Sequence, residues 1–184
     1  MNDLLHELIA AGLIQFGLFD GKPLVFNLKL LPSYPRILAH VADTAAQMID
    51  ASTSTYEYLI CTRDALPFGV VLSQQTGIPL VYANPEEQGV MSLAGAYDVG
   101  HRSLLLANTW LETEDIEWVL ARARRVGLEI DKFILIVGAD ISWGDVEAVS
   151  LLDMVNVINQ LMDENAIPEG QANAVKRWLA QVTV

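Results

Sequence analysis

"SLLLANTWLETEDIEWVLARARRVGLEIDKFILIVG" occupies residues 103–138, and its reading decides the fold. Ser103 to Asn108 and Lys132 to Gly138 are apolar runs too short for buried helices. Between them Ile116, Val119, Leu120, Ala123 and Val126 recur at the spacing of one helix face, so the stretch reads as strand, helix over 113–126, strand. Strands apolar at nearly every position need cover on both faces, which implies a mostly parallel sheet between helices. A matching unit precedes it: strand "YEYLIC" (56–61), a helix over about 65–76 closed by Gly77, and strand "IPLVYA" (78–83).

The flanks extend this pattern. Within residues 3–13, Leu4, Leu5, Leu8, Ile9 and Leu13 stand near helical spacing and predict a short opening helix, with Gly12 where it would end. "FGLFDGKPLVFNLKL" alternates about Asp20-Gly21 and reads as a hairpin. Pro35 suits a first helical turn, and Ile37, Leu38, Val41, Ala42, Ala45, Met48 and Ile49 form the stripe of a helix over 35–50. The tail predicts two amphipathic helices, about 145–163 and 168–181. No repeat or linker interrupts the chain, so one domain over 1–184 is expected: hood elements about 1–34, a core about 35–140, and C-terminal helices about 145–181.

Composition excludes several classes of function. The chain has 184 residues, 52% of them hydrophobic, which is enough for a sizeable core. Its net charge of −12, from 23 acids against 11 bases, repels nucleic acid and anionic lipid. No apolar segment has the length of a membrane span, and the opening residues carry acids, so a soluble cytoplasmic protein is expected. Cys61 is the only cysteine; it excludes an internal disulfide and reads as a buried apolar residue.

In a parallel sheet, ligands bind beyond the carboxyl ends of the strands. Two loops qualify: "CTRDALP" at 61–67 and "NTWLET" at 108–113. Neither contains GxGxxG or a Walker sequence. No Lys or Arg occurs between Arg63 and Arg102. Arg63, with Thr62, Asp64 and Ala65 at the start of a helix, offers either a seat for a small anion or an ion pair with Asp64.

The order of "GLIQFGLF", "LLPSYPRIL", "ALPFGVVLSQQTGIPLVYAN" and "LLLANTWLETEDIEWVLARARRVGLEI" resembles the type I phosphoribosyltransferases, and within them the orotate enzymes, over roughly residues 8–165. The resemblance implies an α/β fold with a parallel sheet flanked by helices, an N-terminal hood hairpin and a homodimer. It also implies that the loop at 62–65 corresponds to the family's pyrophosphate loop. The family's signature places two acids, which bind ribose hydroxyls, before a Thr-Thr-Gly or Thr-Ser-Gly turn that cups the 5-phosphate. Laid on this sequence without gaps, the acids become Ala107 and Asn108, and the phosphate turn becomes Leu111, Glu112, Thr113, Glu114 and Asp115.

These replacements oppose the inherited ligand. Ala107 has no side-chain acceptor, and Asn108 has only a neutral one. A carboxylate about 6 Å from a phosphate, at an effective dielectric near 20, opposes it by roughly 3 kcal/mol per unit of phosphate charge before screening. The family's basic mobile loop corresponds to "NPEEQGVMSLAGAYDVG", where a leaving pyrophosphate meets Glu86 and Glu87. The hood's basic segment shortens to "FDGKP", leaving Lys22 as either a replacement for its arginine or a surface lysine.

The acids also serve a helix. Thr109 and Glu112 have capping-box spacing; Glu114, Asp115 and Glu117 suit the positive end, and Arg122, Arg124 and Arg125 the negative end. Trp110 either stacks on a ligand or fills the pocket that ribose vacates, with filling preferred. Trp118, Trp143 and Trp178 read as packing residues. His6, His40 and His101 lack metal spacing, and Asp140 and Asp145 read as turn and helix-cap residues. Ser33, Ser73 and Ser142 lack a nucleophile motif.

The expectation is an orotate phosphoribosyltransferase-like protein that has lost transfer and binds or regulates through a small anion or nucleotide-like ligand. The alternatives are an active enzyme with an atypical site and a scaffold without a small ligand. No cofactor is firmly implied, and Mg²⁺ enters only if transfer is retained.

Overall fold

The computed structural model describes residues 2–52, 54–85, 91–138 and 142–182. Helix α1 (Asn2–Ala10) leads into a two-stranded antiparallel hairpin, β1 (Ile14–Phe19) and β2 (Lys22–Phe26). Asp20 and Gly21 join the strands with φ of 48° and 81°. Two consecutive positive φ values match the twist of a tight hairpin, which is why the pair Asp-Gly serves there. A 3₁₀ turn (Leu28–Ser33) then delivers the chain to α2 (Pro35–Asp50), with Pro35 in the first turn as its missing donor allows.

Among the described residues the main sheet has seven strands. They are β3 (Tyr58–Cys61), β4 (Leu80–Pro85), β5 (Met91–Ala94), β6 (Arg102–Thr109), β7 (Glu129–Gly138), β8 (Ser142–Trp143) and β9 (Val146–Asp153), in the order β5-β4-β3-β6-β7-β9-β8. The five central strands run parallel, whereas β5 and β8 pair antiparallel at the two edges. Helix α3 (Leu66–Thr76) links β3 to β4, and Gly77 ends it in the left-handed conformation, φ 72°, with its N–H bonded to the Ser73 carbonyl. Helix α4 (Thr113–Arg125) links β6 to β7, with Ile116, Val119, Leu120 and Ala123 buried against the core. Leu104, Leu105, Leu106 and Ala107 of β6 are wholly buried, as a central strand covered on both faces requires.

The region 145–163 departs from the sequence expectation. Instead of one helix, Val146–Asp153 forms β9, paired in parallel register with β7 from Lys132↔Glu147 to Gly138↔Asp153, and only Met154–Asp163 is helical (α5). The apolar residues of "VEAVSLLD" fit either period. Pairing with the exposed side of β7 decides for strand, and Asp153 marks the change by accepting the Asn156 N–H at 2.8 Å as the α5 cap. Asp145 accordingly caps no helix; it lies in the β8–β9 turn, paired with Arg124. Asp140 lies outside the described residues. Helix α6 (Glu169–Val182) packs on α5 and on β2, bringing the C-terminal end of the chain against the hairpin.

Cys61 is buried at the end of β3, where burial pushes its thiol up to about 12. His6, His40 and His101 lie near Glu164, Glu7 and Glu57 respectively, on the surface. Trp143 packs edge-on against Phe133 at 5.7 Å.

Candidate functional site

Strands β3 and β6 are neighbours with paired residues Cys61↔Leu106, so the loops leaving their carboxyl ends lie side by side. Between the loops opens a pocket of about 420 Å³, lined by Arg63, Leu111, Glu112, Thr113, Glu114 and Asp115. The structure thus brings Arg63 to the turn that follows β6. Thr62 and Ala65 are wholly buried beneath the loop surface. Ala107, Asn108, Thr109 and Trp110 are also buried, so none of them lines the opening. Lys22 is exposed beside the hairpin turn and does not line the pocket.

The turn is built differently from a capping box. Glu112 itself occupies the N-cap position, φ −81° and ψ 43°, and makes no side-chain cap bond. The reason is that β6 runs through Thr109, leaving residues 110–112 as a turn. The Thr109 hydroxyl oxygen accepts the Leu111 N–H at 2.9 Å inside that turn. The Glu112 carboxylate instead accepts the Thr62 hydroxyl at 3.3 Å and the Asn108 backbone N–H. Burial, reinforced by the nearby Asp64 and Asp115 charges, outweighs both bonds and raises its pKa from 4.5 to about 7.

Arg63 turns back onto the loops. Its guanidinium stands 3.4 Å from Asp64 and 4.0 Å from Asp115, so it serves as counter-ion to two carboxylates. Glu114 and Asp115 occupy the first turn of α4, and Arg122, Arg124 and Arg125 its last, complementing the helix dipole. Glu86 and Glu87 lie outside the described residues. Among the described residues, no group of three or more His, Cys, Asp or Glu is placed to hold a metal ion.

Beneath the turn, Trp110 is 2% exposed. Its ring meets Phe26 of β2 edge-on at 5.7 Å and Trp178 of α6 at 6.4 Å. Trp110 therefore fills the space between hairpin, sheet and C-terminal helix. Among the described residues its indole N–H has no hydrogen-bond partner. Phe26 and Trp178 were not legible as its partners, because neither the hairpin nor α6 carries a local signal for where it docks.

The parallel sheet with its loops at the carboxyl ends, the hairpin and the flanking helices define the type I phosphoribosyltransferase fold. Within that fold the chain resembles orotate phosphoribosyltransferases. The structure of Leishmania donovani UMP synthase matches 97% of this chain with a TM-score of 0.78 and 22% identity, although this chain spans only 42% of that protein. Francisella tularensis orotate phosphoribosyltransferase matches 96% of this chain and 97% of its own, with a TM-score of 0.75 and 16% identity. The enzyme of Mycobacterium tuberculosis, solved with 5-phospho-α-D-ribosyl 1-diphosphate, gives 0.68 and 15% over 84% of this chain and 96% of its own. In sequence, orotate phosphoribosyltransferase of Caenorhabditis elegans is 22% identical over 179 residues, covering 91% of this chain and 79% of the relative. No protein-family model matches the chain.

Proposed function

We propose that this chain is an orotate phosphoribosyltransferase-like protein that has lost phosphoribosyl transfer and acts by binding, as a regulatory partner or ligand sensor. The observation that carries this reading is the chemistry of the β6 turn. A buried alanine and a buried asparagine, Ala107 and Asn108, stand where the family's signature has its ribose-binding acids. A carboxylate, Glu112, occupies the N-cap of α4, where the positive end of a helix ordinarily receives a phosphate. Arg63, which lines that pocket, is engaged by Asp64 and Asp115. We assign the protein to the cytoplasm as a homodimer, with a small anion or nucleotide-like ligand as the class to screen.

The test is orotidine monophosphate formation from orotate, phosphoribosyl pyrophosphate and Mg²⁺. No turnover above the uncatalysed rate is expected. Clear turnover abolished by Arg63→Ala would overturn the reading. A thermal-shift screen with nucleotides, ribose 5-phosphate and inorganic anions then separates a binder from a scaffold, since a ligand selective for the native state raises the midpoint.

A further inference from the structure

Glu112 is a side chain through which the two strand-end loops meet, beside the Arg63–Asp115 pair. It belongs to the turn after β6, yet its carboxylate is bound by Thr62, a wholly buried residue of the loop after β3, fifty positions earlier. The same turn carries Trp110 into the aromatic contact with the hairpin and α6. We propose that Glu112 is a pH-sensitive latch: its protonated carboxyl holds the 62–65 loop against the 109–113 turn, and its ionised carboxylate loosens both.

The charge surroundings give the direction. From the β3 loop, Asp64 faces Glu112, with Arg63 beside it; from α4, Asp115 faces it, and Glu114 shares the pocket rim. Arg63 is 53% exposed and divided between Asp64 and Asp115, so it is a weak counterweight to a third carboxylate. A neutral Glu112 fits this group of acids without repulsion. Once charged, it sits between two like charges, held by one long hydroxyl bond and one backbone N–H. Burial and those acids place the change near neutrality, at about 7. The histidines stand beside Glu164, Glu7 and Glu57 on other elements, away from this junction. The device does not depend on whether transfer chemistry survives.

Amide hydrogen exchange on the full chain, corrected for the intrinsic pH dependence of exchange, tests the latch. Peptides covering 60–66 and 108–114 are expected to lose protection by at least about threefold between pH 6 and pH 8.5. Glu112→Gln should abolish that loss, Glu114→Gln should preserve it, and Asp64→Asn should move its midpoint to lower pH, because removing a repelling charge makes ionisation of Glu112 easier and lowers its pKa.

 An unchanged loss of protection in Glu112→Gln, or no loss in the wild type, would overturn the proposal. If Glu112→Gln does not fold, Asp64→Asn decides alone: a downward midpoint supports the latch, and an unmoved or upward one overturns it.

Discussion

The Trp178 ring on α6 stands 6.4 Å from the Trp110 ring at the end of β6, so the last helix of the chain reaches the turn that opens α4. Trp110 is nearly inaccessible and also meets Phe26. Its truncation leaves a cavity bounded by three separate elements. Trp110→Ala is expected to lose about 3–5 kcal/mol of stability, measured by urea unfolding, and Trp110→Phe distinctly less. A loss below about 1 kcal/mol for the alanine variant would show that the packing is not cooperative.

Global stability should carry the signature of Glu112. Its carboxyl is raised from 4.5 to about 7 in the folded chain, so the native state binds more protons than the unfolded state between those values. Stability from this group is present at low pH and is lost as pH rises toward and through 7. The gap corresponds to ~3 kcal/mol, which partial solvent contact reduces to about 2. Glu112→Gln is therefore expected to gain about 2 kcal/mol at pH 8 and little near pH 4.5, as read from denaturant midpoints at each pH.

Cys61 should be chemically silent. Its thiol is buried and raised to about 12, so almost no thiolate forms at pH 8. A thiol-reactive disulfide reagent is expected to label the unfolded chain promptly and the native chain only as it opens. Prompt native labelling would place the sulfur at an accessible surface.

Asp153 closes the break between β9 and α5 by accepting the Asn156 N–H. Asp153→Ala is expected to cost about 1 kcal/mol in chemical denaturation, and Asp153→Ser to recover most of it.

The central sheet was legible because β6 and β7 are apolar at successive positions and α4 has a clean helical period. The Asp20-Gly21 turn was legible for a similar reason: two adjacent residues suited to positive φ leave few alternatives. The strand at 146–153 was not, since its state depends on a free edge of β7 that no local pattern reveals. In the candidate site, the acids of the turn could be read directly, and they line the pocket beside Arg63. The displaced cap could not, because the spacing of Thr109 and Glu112 does not reveal where β6 stops, and the Thr62 bond joins residues far apart in sequence.

The placement of charge along α4 has a consequence for encounter. Its acids stand at the carboxyl ends of the strands and its three arginines at the amino ends. The acids at that end disfavour a diffusing anion at the mouth where α/β proteins commonly receive such ligands. Molecules arriving at that mouth meet a field that favours cations and neutral species.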